Sequence, residues 1–263
     1  MKTDFETIRV EQHDEGVIQL VLNRPDARNA FSHKMMAELD EALDEAEIDD
    51  TVRSVVLRGE GKLFSAGHDL KEQMGGKQFH TLTYPHASPS VRPQLPRAWY
   101  FRKPLIGALH SYVGPYAFAI VACCDFNIAA TGTRFSCEVF KGSYPYIDWL
   151  TLYMQLPMRV IEKLWLMGGW MDAAEALQFQ LVQRVLSEEE VFDEALRWGR
   201  QTALISPEGF AKGKDKIRRS VELMGLNQLT AVLAPEPLRS GAPIDMEAFR
   251  KAQAAFDPSI AKV

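Results

Sequence analysis

An α/β fold is predicted by three features of the sequence. Short apolar runs of strand length, Val17–Leu22, 52–58 and Leu105–Leu109, alternate with longer segments of helical period. Those runs are nearly continuous rather than alternating, as befits strands covered on both faces. Two of them, moreover, end in a glycine turn that leads directly into a helix, at Gly67 and at Gly114.

At 263 residues the chain can bury a full core, and one large domain, or a domain with a helical extension, fits better than two equal halves. A formal charge of -5 argues against nucleic acid as a partner, although a local basic patch can still hold phosphates. No run approaches the length of a membrane span, and the start MKTDFETIRV has neither the basic nor the apolar region of a signal peptide. A cytoplasmic protein with no membrane partner is expected. Cys123, Cys124 and Cys137 lack metal-ligand spacing and a nucleophile's partner, so buried packing is expected of them and no metal site is assigned.

Taken in order, 7–11 and Val17–Leu22 read as a hairpin around His13-Asp14-Glu15-Gly16. Ser32 is placed to cap a helix running to about Ile48, with Met35, Met36, Leu39, Leu43 and Ala46 on its buried face. The strand 52–58 follows, then the glycine turn in FSAGHDL (64–70), where Asp69 reads as a cap for the next helix. Periodicity fails across 75–101, which is irregular and rich in aromatic residues, including Tyr84, Trp99, Tyr100 and Phe101. One reading of this stretch is an irregular surface loop that buries its aromatic rings in the core or an oligomer contact; the other, a cover over a bulky ligand, comes only from the family resemblance given below.

The stretch 103–130 reads as a strand, a turn at Gly114-Pro115, an apolar helix 116–124 and a second strand. Pro115 suits the first helical position, where its missing N–H costs nothing. The first-turn N–H of Tyr116 or Ala117 then faces the strand end, where it can stabilise an oxygen acquiring negative charge. Further on, Val160 to Leu166 and Ala173 to Leu177 look helical, and 181–185 reads as a strand. Ser187 and Glu190 match a capping box, and Ser206-Pro207 opens another helix. The cations Lys212, Lys214, Lys216, Arg218 and Arg219 on that last helix read as a solvated face, with contact to phosphates as the alternative.

NRPDARNAF (23–31), FSAGHDL, KPLIGA (103–108), CDFNIAA (124–130) and WMDAAEALQFQLVQRVL (170–186) occur in one order through most of the chain. Together they resemble the crotonase superfamily, the enoyl-CoA hydratases and isomerases. The resemblance implies a repeated β-β-α spiral core over 1–200, carrying an acyl-CoA site, and a C-terminal helical oligomerisation region over 201–263 that builds homotrimers or homohexamers. It implies an acyl-CoA thioester as substrate, with coenzyme A as part of that substrate and no separate cofactor.

By the same resemblance the backbone N–H groups of His68 and Tyr116 would form the oxyanion hole beside Gly114, although this family usually has glycines where Pro115, Tyr116 and Ala117 stand. The His68 imidazole is a further acid/base candidate, since imidazoles titrate near neutrality. Ala27, Arg28, Ala66 and Lys71 would lie near the nucleotide, Arg28 being either a phosphate ligand or a solvated loop residue. Phe249, Lys251 and Phe256 would help to bind coenzyme A from the C-terminal helix. Family hydratases generally use a pair of glutamates. Ala119 occupies the place of one, and CEVFKG (137–142) puts Glu138 at the other, the alternative being a structural carboxylate satisfied by backbone or Arg134. Asp148 is a further catalytic candidate, or else a helix cap; Tyr144 and Tyr146 are nearby phenols. The expected function is therefore an acyl-CoA-processing enzyme of enoyl-CoA hydratase/isomerase type. An acyl-CoA hydrolase or carbon-carbon lyase on the same fold, or a non-catalytic acyl-CoA-binding paralogue, is the alternative.

Overall fold

The computed structural model describes residues 1–69, 71–72, 97–137 and 155–226, together with 247, 251, 254 and 262. Its strands form two sheets. The larger contains β1 (Ile8–Gln12), β2 (Val17–Leu22), β3 (Ser54–Gly59), β4 (Leu105–Leu109), β6 (Phe126–Ala130) and β9 (Arg184–Leu186) in the order β1-β2-β3-β4-β6-β9. Only the β1/β2 hairpin is antiparallel there. The smaller contains β5 (Tyr112–Val113), β7 (Arg134–Ser136) and β8 (Trp170–Asp172), with β7 central. The chain passes from β4 to β5 and then into a helix, and from β6 to β7, so consecutive strands fall in different sheets. This is the β-β-α spiral expected from the motifs.

The apolar runs are continuous because both faces of the large sheet are buried. Val17, Val56, Ile106, Ala108, Ile128 and Ala130 turn one way, onto Val191 and Ala195 of the helix Glu188–Ala203. Their neighbours Ile18, Leu20, Val55, Leu57, Leu105 and Leu109 turn the other way, into a core shared with Met35, Leu39 and Leu43 of α1 (His33–Ile48). Ser32 caps α1 by accepting a bond from Met35 N at 3.1 Å. The buried cysteines Cys123, Cys124 and Cys137 lie in this second core as apolar fillers, and burial pushes the Cys124 thiol up.

Several expectations need correction. The third strand starts at Ser54 rather than Val52, because Val52 N–H donates to Asp49 O in the turn after α1. The last strand is Arg184–Leu186 rather than 181–185; Leu181 and Val182 instead donate to Ala176 O and are buried in the preceding turn. The helix after Gly114 ends at Val121 rather than Cys124. For the aromatic stretch one of the two open alternatives applies to its end, where the short helix α2 (Arg97–Tyr100) and the residue after it carry Trp99 and Phe101 into the core, at 2% and 0% exposure; 73–96 lies outside the described residues.

The basic face of the helix Pro207–Val221 is also not uniformly solvated. Lys214 is 7% exposed and donates to Asp125 Oδ2 at 2.7 Å and to Lys103 O at 3.1 Å. Arg218 donates to Cys123 O at 2.8 Å and lies 3.8 Å over the Trp99 ring. Lys212, Lys216 and Arg219 alone face outward. This helix is thereby fastened to the amino ends of β4 and β6, since Asp125 Oδ2 also accepts from Leu105 N at 2.9 Å.

At the opposite, carboxyl ends of the strands two glycine turns meet. A Cβ at Gly114 would sit 2.1 Å from Ala66 O and 2.8 Å from Gly67 N, and one at Gly67 would sit 2.9 Å from Pro115 N. Gly67 also has φ +90°, a left-handed value that side chains disfavour. The obstacles are backbone atoms, which cannot swing aside as a flexible side chain could.

Gly114→Ala is therefore expected to lose about 1–3 kcal/mol, lowering the unfolding midpoint by several degrees in a calorimetric scan. Gly213→Ala, at a helical position with nothing within 4 Å, should instead leave the midpoint unchanged or raise it slightly. Equal effects of the two would contradict the close approach of the turns.

A second prediction concerns Asp40, on the partly buried side of α1. Burial first, and then the charge of Asp44, raise its carboxyl from the ordinary 3.8 to about 8, against the opposing pull of Arg97. A raised carboxyl binds its proton more tightly when folded, so stability falls as pH rises from about 4 to about 8. Asp40→Asn should remove that loss. The gain over wild type in urea unfolding should be near zero at pH 4 and about 1–3 kcal/mol at pH 8.5. A gain independent of pH would refute this assignment.

Candidate active site

The turn after β3 is held from three sides. Phe64 N donates to His110 O and Ser65 N to Tyr112 O, both at 3.1 Å, and Gly114 N donates to Ser65 O at 2.8 Å. These bonds align the turn with β5 and set the Ala66-Gly67 peptide against Gly114-Pro115. On another side, Ala66 N donates to Arg28 O at 2.9 Å and Ser65 Oγ to Asn29 O at 2.7 Å. The Asn29 amide in turn donates to Glu60 O and Leu63 O, at 2.8 and 3.0 Å. Arg28 and Asn29 adopt φ of 54° and 49°, the left-handed turn that brings their carbonyls round to Ser65 and Ala66.

The third support is Phe31. Its N–H donates to Gly67 O at 2.7 Å and its carbonyl accepts from Asp69 N at 3.0 Å, forming a parallel bridge centred on His68. In such a bridge the middle residue's own N–H points away from its partner strand. The His68 N–H is accordingly aimed off the Phe31 side of the turn.

Asp69 behaves as a structural carboxylate, as its sequence position suggests. Its Oδ1 accepts from Lys71 N at 3.2 Å, and its Oδ2 accepts from Arg24 Nη2 at 3.0 Å. Arg24 also donates to Ala30 O at 2.6 Å, closing the 24–30 loop onto the turn. Arg24, Asn29, Phe31 and Ser65 were not singled out by sequence reasoning as supports. Their only signal was membership of the NRPDARNAF and FSAGHDL segments.

The second turn enters α3 (Pro115–Val121), with Gly114 as N-cap, Pro115 at the first position and Tyr116 at the second. Residues in that first turn have no carbonyl of their own helix to donate to. The Tyr116 side chain, whose location the sequence left open, is 2% exposed. Its ring meets the edge of Phe31, with centroids 4.9 Å apart at 71°, and lies 4.6 Å from the His68 imidazole at 33°. The candidates His68 and Tyr116 are thus brought together, in side chain as well as backbone. Ala119, one turn further along α3, is fully buried and offers only a methyl group.

Of the remaining candidates, Ala66 and Gly114 line the contact between the turns. Ala27 and the exposed Arg28 lie on the adjoining loop, and Lys71 is exposed just beyond Asp69. Lys251 is exposed. Glu138, Asp148, Phe249 and Phe256, with Tyr144 and Tyr146, lie outside the described residues. The chain can be followed as far as Cys137. Because β5 and β7 pair in parallel, with Tyr112 opposite Arg134 and Val113 opposite Phe135, the stretch entering Cys137 runs beside the one entering Gly114. Among the described residues no group of three or more His, Cys, Asp or Glu is arranged to hold a metal ion, and no helix is long and apolar enough to cross a membrane.

Comparison with known proteins gives the same family. The family model for enoyl-CoA hydratase/isomerase matches residues 12–236. A putative enoyl-CoA hydratase of Mycobacterium tuberculosis is 28% identical over 253 residues, covering 85% of this chain and 77% of its own length. A probable enoyl-CoA hydratase of Rhizobium meliloti is 32% identical over 232 residues, covering 83% and 84%. Among solved structures, an enoyl-CoA hydratase/isomerase from Xanthobacter autotrophicus Py2 superimposes with a TM-score of 0.78 at 28% identity, covering 95% of this chain and 94% of that one. With its motifs, spiral fold and glycine turns in agreement, the chain belongs to the enoyl-CoA hydratase/isomerase family, within the crotonase superfamily.

Proposed function

We propose that the protein binds a 2-enoyl-CoA thioester and performs hydration or double-bond isomerisation through a thioester enolate. The observation that carries this reading is the backbone contact between the Ala66-Gly67 and Gly114-Pro115 turns, which sets residues 68 and 116 side by side at the carboxyl ends of β3 and β4. Two amide donors aimed at one oxygen stabilise the charge that develops on it by several kcal/mol in a site shielded from water. The N–H groups of His68 and Tyr116 take that role here.

Glu138 follows Cys137 directly and serves as acid/base. It activates water for addition at C3, or shuttles a proton in isomerisation. Asp148 stands as a further catalytic candidate, outside the family's pair of glutamates. The nucleotide lies along the 24–30 loop, with Ala27 and Ala66 offering backbone and Arg28 and Lys71 offering charge, both cations being exposed where a phosphate could reach them. Phe249, Lys251 and Phe256 complete the coenzyme A contact from the C-terminal region, in a homotrimer or homohexamer working in the cytoplasm.

Ala119 supports a narrower statement, because a buried methyl group cannot move a proton. A single carboxylate suffices for isomerisation and is an unusual provision for hydration. The test is mass spectrometry and NMR of products from short-chain and aromatic enoyl-CoA esters, with Glu138→Gln beside wild type. The expected result is one added water or a shifted double bond, reduced about 100-fold or more in Glu138→Gln. Free coenzyme A or a shortened acyl chain would transfer the protein to the hydrolase or lyase class. Tight binding of the esters without any product would make it an acyl-CoA-binding paralogue.

A further inference from the structure

We infer that the Tyr116 side chain is a positioning residue for the His68 imidazole, and that this imidazole is the second proton-transfer group at the thioester; the inference rests on the function proposed above. Phe31 is where the argument starts. Its backbone bonds residues 67 and 69, on either side of His68, while its fully buried ring receives the Tyr116 ring edge-on at 4.9 Å. The Tyr116 ring in turn lies 4.6 Å from the imidazole. Phe31, Tyr116 and His68 therefore close a frame in which one residue fixes the backbone of His68 and a second fixes its ring.

A residue chosen merely to fill space need not be aromatic, whereas a ring lying 33° from the imidazole plane restricts rotation of that imidazole. Glycine at 116 would leave His68 without this wall. The frame stands beside the two turns already assigned to the thioester oxygen. It also supplies a titratable side chain to a site in which the helix position of Ala119 supplies none.

The step balances as follows. Water oxygen forms a bond to C3 while Glu138 takes one of its protons, and the C2–C3 π electrons move into the thioester to give the enolate. The enolate then forms a C2–H bond with the proton of the His68 imidazolium, which is left neutral. Proton exchange with solvent returns Glu138 and His68 to their starting states. Tyr116 touches no reacting atom in this scheme.

The test is a double-mutant cycle on the ester found to react, with kcat and KM measured for wild type, Tyr116→Phe, Tyr116→Leu, His68→Gln and the Tyr116→Leu/His68→Gln pair. His68→Gln should lower kcat about 100-fold, the scale of a lost general acid. Tyr116→Phe, which keeps the ring against the imidazole, should lose less kcat than Tyr116→Leu. Tyr116→Leu should lower kcat roughly ten-fold or more with KM little changed, and should have no further effect once His68 is Gln. The His68 ring-proton resonances should move in Tyr116→Leu and stay in Tyr116→Phe. Tyr116→Met replaces the leucine variant if that variant melts below the assay temperature.

Equal losses from Tyr116→Leu in both backgrounds, or full kcat in His68→Gln, would overturn the positioning role while leaving the enoyl-CoA reading intact. A wild-type protein that turns over no ester would instead overturn that reading, and this role with it.

Discussion

Everything at the carboxyl end of the large sheet depends on one close approach, that of the Ala66-Gly67 peptide to Gly114-Pro115. Backbone reaches backbone there at a distance that leaves no room for a Cβ on either side. Such an approach exposes polar peptide groups that must be satisfied, and the surrounding sequence is arranged to satisfy them. Ser65 is bonded on both sides by β5, Ala66 by Arg28, and residues 67 and 69 by Phe31. What is left directed outward is the amide of His68 and the first turn of α3. The same arrangement that makes the turns stable therefore leaves these amides available for the site proposed here.

The amino end of the sheet is built in a contrasting way. There Asp125 accepts from Leu105 N and from the buried Lys214, and Arg218 lies over Trp99. Burial drives the Lys214 ammonium below its usual range, against the pull of Asp125, so this pair holds the C-terminal helix at some cost in desolvation. Removing one partner would strand the other charge, at about 3–5 kcal/mol. A cleft of 340 Å³ lies beside these cations, lined by Trp99, Phe101 and Arg218 among others. Of its lining, Trp99, Phe101, Lys214 and Arg218 are already engaged in fastening the helix. In open α/β sheets ligands gather at the carboxyl ends of strands, and here stapling and the proposed chemistry fall at opposite ends.

What could be read in the sequence was whatever is decided locally. The Ser32 cap, Pro115 at a first helical position and the Ser187/Glu190 box each depend on residues a turn apart, and all are found, with Ser187 N donating to Glu190 Oε2 at 3.2 Å. The strands β5, β7 and β8 were not legible, because two or three residues carry no period and their pairing is set by distant partners. Lys214 and Arg218 were misread because the buried face of their helix, Ala211, Lys214, Arg218 and Val221, keeps helical spacing but writes it partly in cations. A charge buried beside a carboxylate 89 positions away has no local signature. The frame of Phe31, His68 and Tyr116 was hidden for the same reason, since its members come from three separate segments.

That frame bears on how a family scaffold accommodates change at its centre. Glycine after Gly114 would allow any approach of backbone to ligand, and a side chain there has to be housed. Tyr116 is housed by Phe31, a residue whose backbone the first turn already requires. The substitution therefore needs no new pocket, only the face of a ring that is present in any case. Among the described residues, the housed tyrosine ring meets Phe31 on the core side and His68 on the other. Ala119, where the proposed reading lacks a carboxylate, and the aromatic ring at 116 lie within one turn of the same helix, α3, and that ring packs against the imidazole proposed as the acid/base group.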